Sequence, residues 1–190
     1  MTVKVLGLDT GFANVGWTIA EMTKSVDAWG GIKIIAMGHL ETKGASKKLN
    51  VKSADDNFER ARTIARELVR VMDEHAPNIV CAEALSFVPS SQAMCKVGMC
   101  FGIIATLVAS YDVPFLQASP KEIKHAVTGK AQASKVEIQN AIDEGFQNVP
   151  ADIFDEVKLA QGKREHPYDS LGAIIACWES DPMRMARQMA

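Results

Sequence analysis

Apolar positions alternate or run together over residues 3–9, 15–21 and 32–41, separated by Gly- and Asn-containing turns, which predicts three strands in an antiparallel meander. From 57 to 75 the period lengthens: Phe58, Ala61, Ile64, Leu68, Val71 and Met72 recur at helical spacing, and the helix stops before Pro77. The other face of that helix carries Arg62, Arg66 and Arg70 in one row. A short run over 78–84, centred on Ile79, Val80 and Cys81, predicts a buried fourth strand. Ser90 or Ser91 caps a long apolar helix to about residue 110, with Gly98 and Gly102 one turn apart, and 113–117 forms a fifth strand. Two capping boxes follow. Ser119-Pro120-Lys121-Glu122 opens a helix ended by Gly129, and Ser134-Lys135-Val136-Glu137 opens another to about residue 144. Residues 147–165 are irregular and polar. His166-Pro167-Tyr168-Asp169 then opens a last helix whose stripe is Leu171, Ile174, Ile175 and Trp178, stopped by Asp181-Pro182. Neither repeat nor linker divides the chain, so residues 1–190 are expected to form one α/β domain, a five-stranded mixed sheet with helices on both faces.

Two carboxylates interrupt this pattern. Asp9 ends the first strand and Glu83 lies near the end of the fourth, and an acid in an apolar strand is costly unless something pairs with it. The helix at 57–75 allows a crossover that sets strands one and four parallel, so that both acids project from the same end of the sheet. His166 and Asp169, three residues apart on a first helical turn, share one face. Convergence of the four would make a site in which divalent cations neutralise Asp9. Ordinary structural roles compete: Asp9 bonding the turn at Thr10 to Phe12, Glu83 as an edge-strand acid, His166 as an N-cap and Asp169 as a favourable acid in a first turn.

Composition narrows the class. The net charge of −2 argues against indiscriminate nucleic-acid binding, yet residues 121–135 hold four lysines (121, 124, 130 and 135) against the one acid Glu122. Residues 47–70 hold seven bases, Lys47 and Lys48 among them, against four acids. Either cluster suits a phosphate-binding face or a solvated surface; the arginine row reads as solvated. Cys81, Cys95, Cys100 and Cys177 form no C-x-x-C pair and no zinc-finger spacing, which points to reduced thiols. No secretory leader pattern is present, and the longest apolar run, 97–111, is too short to span a bilayer, so a cytoplasmic protein without membrane contact is expected. His39, His75 and His125 show no partner in the sequence.

The ordered set Leu6-Gly7-Leu8-Asp9-Thr10-Gly11 with Gly16, Val80-Cys81-Ala82-Glu83, Lys96-Val97-Gly98-Met99-Cys100-Phe101-Gly102, Lys124 with Lys135, and His166-Pro167-Tyr168-Asp169-Ser170-Leu171 resembles the RuvC-type Holliday-junction resolvases, members of the RNase H-like superfamily. The resemblance spans nearly the whole chain. It implies a catalytic, metal-binding group of Asp9, Glu83, His166 and Asp169, holding two Mg²⁺ or Mn²⁺ ions, with histidine at 166 where many members carry aspartate. It further implies Lys124 and Lys135 near the scissile phosphate and Phe87 as a wedge at the branch point, a packed loop residue being the alternative for Phe87; Lys121 and Lys130, of the same lysine cluster, are further DNA-binding candidates. Because a two-fold junction needs two symmetric nicks and each chain offers one site, a homodimer is expected, with Gly98 and Gly102 at its seam; close packing on the chain's own sheet is the other reading of those glycines. The implied partner is a four-way DNA junction in a bacterial or phage-infected cell, with no small-molecule cofactor. Lys135 adds a physical hint, because a cation at a helix N-terminus opposes the macrodipole and a phosphate there would suit both.

Two other functions compete. Asp-x-Gly after an apolar strand also opens actin-like and sugar-kinase ATPases, but those enclose a nucleotide between two such domains, and no second glycine-rich phosphate loop appears in these 190 residues. A relaxed nuclease of forks, flaps or other branched DNA is the nearer alternative, and fold alone does not separate it from a strict junction resolvase.

Overall fold

The computed structural model describes residues 2–25, 27–45, 52–84, 90–146, 153 and 164–189. Strands β1 (Lys4–Thr10), β2 (Asn14–Met22) and β3 (Ile32–Glu41) form the meander, with a four-residue helix α1 (Ala28–Gly31) in the second connection. Helix α2 (Ser53–His75) crosses to β4 (Ile79–Glu83), α3 (Ser91–Tyr111) to β5 (Phe115–Ala118), and α4 (Pro120–Thr128), α5 (Lys135–Gly145), α6 (Glu165–Cys177) and α7 (Asp181–Met189) complete the order. The sheet runs β3-β2-β1-β4-β5, antiparallel at β3-β2-β1 and parallel at β1-β4-β5. The expected mixed sheet and the crossover through α2 are both found.

Strand periodicity divides the core. Leu6, Leu8, Val15, Trp17, Ile19, Val80 and Ala82 pack against Ile64, Leu68, Val71 and Met72 of α2 and Cys100, Ile104 and Leu107 of α3. The alternate positions Val5, Ala20, Met22, Ile79 and Cys81 meet Ile123 of α4, Ile138 and Ile142 of α5 and Ile174 of α6. Both capping boxes form, at Ser119/Glu122 and at Ser134/Glu137.

Three expectations change. Asp181-Pro182 does not end helical structure but starts α7, proline being well suited to a first helical turn. Phe58, placed on the apolar stripe of α2 by its spacing, is 62% exposed and lines an open groove between α2 and α3. Helix α3 continues N-terminally beyond the run at 97–111 to 21 residues and is long and apolar enough, by length and composition, to cross a membrane. It packs on the sheet through Cys100, Ile104 and Leu107, while Met94 and Met99 stay exposed.

Candidate active site

Side-chain parity aims the two strand acids. In β1, Leu6 and Leu8 face α2 and α3, so Val5, Gly7 and Asp9 face α6. In β4, Val80 and Ala82 face α2 and α3, so Cys81 and Glu83 share the face of Asp9. The parallel register pairs Leu8 with Ala82, which sets Asp9 and Glu83 side by side one step on, at the C-terminal ends of adjacent strands.

Helix α6 reaches them because two glycines let it come close. A Cβ on Gly7 would stand 2.2 Å from the Ser170 carbonyl, and one on Gly16 would stand 2.1 Å from the His166 backbone. A buried polar cluster pins the approach: Thr18 Oγ1 lies 2.7 Å from Ser170 Oγ, and Ser170 Oγ donates to the Pro167 carbonyl at 2.7 Å. His166 and Asp169 thereby arrive on the first turn of α6, which begins at Glu165 with Arg164 at its N-cap position, so His166 is not the cap.

His166 Nδ1 donates to Asp9 Oδ2 at 2.6 Å, and this ion pair is the immediate partner of the stranded acid, where a cation alone was expected. Asp9, Glu83, His166, Asp169, Lys124 and Lys135 all line one cleft of about 290 Å³, joined by Glu165 and floored by Ile123 and Ile138. The six residues singled out as catalytic are thus brought together.

The electrostatics are those of crowded acids. Burial, then the neighbouring Asp9 charge, raises Glu83, with Lys135 and Lys124 pulling the other way. Burial and the Asp9 charge push Asp169 up to about 7, with Glu165 and Glu83 adding to the shift and Lys135 opposing it. The hydrogen bond to Asp9 raises His166. The bond to Glu165 raises Lys135. Three carboxylates and an imidazole that repel or compete in this way are a donor set that a divalent cation would relieve, and oxygen donors with one nitrogen suit Mg²⁺ or Mn²⁺. Among the described residues no three such side chains form a ready-made metal cage, consistent with Asp9 being engaged by His166.

Other expected residues fall elsewhere. Lys121 is exposed on α4 outside the cleft, and Lys130, also exposed, donates to Glu137 Oε1 at 3.2 Å. Phe87, Lys47 and Lys48 lie outside the described residues. Arg62 pairs with Glu59 and Arg70 with Glu67 and Glu74 of their own helix, as a solvated face would. Gly98 and Gly102 do not pack on the sheet: both are exposed, and a Cβ at either would meet nothing within 4 Å. Two residues at the cleft were not singled out from the sequence. Glu165 carries the ion pair to Lys135, and its signal was the acid directly before His166. His39 of β3 stacks on His166, with ring centroids 5.3 Å apart and planes 4° from parallel.

The family model described as crossover junction endodeoxyribonuclease RuvC matches residues 5–160. The chain belongs to the RuvC family. Its similarity to RuvC proteins runs beyond that stretch: a RuvC from Thermosipho melanesiensis is 22% identical over 176 residues, 93% of this chain and 95% of the relative. A RuvC from Prochlorococcus marinus is 30% identical over 139 residues, 73% of this chain and 78% of the relative. The solved structure of T. thermophilus RuvC in complex with a Holliday junction substrate matches with a TM-score of 0.69 at 19% identity, covering 97% of both chains, and places the fold among the RuvC resolvases of the RNase H-like class. RuvC nucleases are metal-dependent. His166 and Asp169 follow the stretch matched by the RuvC model, and it is α6 that carries them to Asp9.

Proposed function

We propose that this chain resolves four-way DNA junctions by metal-dependent phosphodiester hydrolysis, acting in the cytoplasm as a homodimer whose two sites nick symmetrically. The observation that carries the reading is the single cleft in which Asp9, Glu83, His166 and Asp169 face Lys124 and Lys135. Asp9, Glu83, His166 and Asp169 would hold two Mg²⁺ or Mn²⁺ ions. Bound there, such ions supply the activated water and the charge stabilisation of the leaving oxygen that phosphodiester hydrolysis requires. With Nδ1 committed to Asp9, Nε2 is the His166 nitrogen that would face an ion, once its proton is given up. Lys124 and Lys135 sit at the rim as phosphate ligands, Lys121 and Lys130 extend the basic track along α4 and the connection to α5, and Phe87 is proposed as the wedge at the branch point.

The reaction is tested by Mg²⁺-dependent cleavage of a four-way junction set against a fork, a flap and a linear duplex of the same sequence. Preference for the junction supports resolution; equal cleavage of forks and flaps makes the enzyme a general branched-DNA nuclease. Lys135→Ala is expected to slow single-turnover cleavage about tenfold or more while costing less in affinity, since one phosphate contact changes the log–log salt slope by only about 0.9. An unchanged single-turnover rate removes Lys135 from the chemistry.

The seam has a physical basis. A groove of about 540 Å³ between α2 and α3 is lined by Phe58, Ala61, Val69, Met99 and Gly102 among others, and Phe58, Val69 and Met99 are exposed. Such a patch on a small domain invites a partner, and a two-fold substrate favours a second copy of the same chain. Gly102→Trp should therefore shift the protein to monomer by light scattering and convert a supercoiled cruciform plasmid to open circles in place of linear product. A wild-type chain that stays monomeric on and off DNA, yet linearises the plasmid in one binding event, would defeat the dimer.

A further inference from the structure

His39 reaches His166 through a defect in the sheet. Between β2 and β3 the register jumps, with Ile19 opposite Ala36 and Ala20 opposite Ile34, so Ile35 is an extra residue in the edge strand. Before the jump Ile32 and Ile34 point toward α6; after it Met37 does, while Ala36 and Leu40 point toward α2 and α3. Were Ile35 paired as an ordinary strand residue, strict alternation from Ile32 and Ile34 would turn His39 away from the cleft; the bulge takes Ile35 out of the count. With it, His39 lies beside Gly16 in the register, and Gly16 is the position on which the His166 backbone rests.

The ring of His39 is itself fixed. Its Nε2 donates to Asn14 Oδ1 at 3.0 Å, and the Asn14 carbonyl accepts from the Gly11 amide at 2.8 Å in the turn that follows Asp9. His166 is then held at one ring nitrogen by Asp9 and across one face by a nearly parallel imidazole, an offset stack within the range at which aromatic pairs attract.

We propose that His39 is a positioning residue for His166, a stacked support delivered by the β3 bulge that sets the plane in which the imidazole meets a metal ion. This rests on the reading of His166 as a metal-binding residue. Groups that orient a ligating histidine typically contribute 10- to 100-fold to metal affinity. His39 is not among the residues that line the cleft, and acts through the ring it supports.

The test is Mn²⁺ binding to the full chain without DNA, measured by calorimetry alongside thermal melting. His39→Ala should weaken Mn²⁺ binding about tenfold or more with little change in melting temperature, and His39→Phe, which keeps a flat ring, should restore most of it. In a His166→Asp background there is no ring to support, so His39→Ala should add no further loss. Equal affinity in His39→Ala and wild type overturns the proposal, as does the same loss in the His166→Asp background. Should His39→Ala fold poorly, Asn14→Ala, which removes only the bond to the His39 ring, takes its place: a drop in Mn²⁺ affinity at unchanged melting temperature supports the proposal and an unchanged affinity overturns it. His166→Ala is the control for the underlying reading: if it binds Mn²⁺ as wild type does, the metal role of His166 fails and His39 has nothing to position.

Discussion

Asp9→Asn is expected to lower metal-dependent junction cleavage about 10³-fold or more while leaving the fold and junction binding in place. The amide keeps an oxygen able to accept from His166 Nδ1, so the contact between β1 and α6 survives. What disappears is one negative charge at the centre of the cleft, the charge that raises both Glu83 and Asp169. Those two acids then ionise more readily, but the donor set has lost the carboxylate that lies between the strand pair and the helix. Junction affinity, read by gel shift with chelator present, should hold or rise slightly, since a charge repelling phosphate has been removed. Single-turnover cleavage in Mg²⁺ and in Mn²⁺ reads the loss, and circular dichroism reads the fold. Substantial cleavage in either metal would refute the assignment of Asp9.

Where local pattern decides an outcome, the sequence was readable. The period-two runs around Asp9 and Glu83 define their faces as soon as β1 and β4 are paired, and the pairing follows from the crossover length of α2. Both capping boxes mark helix starts through bonds made within four residues. Readability ends where a long-range contact overrides the local pattern. His39 carries no sign of its role, because an insertion at Ile35 changes the face on which it emerges. The close approach at Gly7 and Gly16 is likewise invisible until α6 is known to lie across both strands. Phe58 fits a buried stripe by spacing, but spacing says nothing about the groove left open between α2 and α3, which it lines. Lys135 could be read as a bare cation awaiting phosphate; Glu165, thirty residues on, occupies it first.

Asp169→Asn should stabilise the metal-free protein at pH 8 and leave it nearly unchanged at pH 4. Asp169 titrates near 7 in the folded chain, against an ordinary value of 3.8, because it is half-buried beside Asp9. Below about pH 3.8 folded and unfolded chains both carry its proton, and the group adds no penalty. Between there and about pH 7 the folded state binds more protons than the unfolded state, so stability falls as pH rises, and above 7 the full penalty stands. A shift of about three units corresponds to roughly 4 kcal/mol, and with neighbouring charges and water relaxing about the substituted site, a gain of about 1–3 kcal/mol is expected. For a chain of this size that is a rise of roughly 3–9 °C in melting temperature. Scanning calorimetry in chelator at the two pH values measures it. Cleavage should be lost in the same variant, so one substitution separates what the cleft costs the fold from what it contributes to the reaction. Adding Mg²⁺ should raise the melting temperature of the wild type and not that of the variant, as expected for a ligand bound by the folded state alone. A variant no more stable than wild type at pH 8 would show that Asp169 is not under electrostatic strain, and would remove the main physical reason for a cation in this cleft.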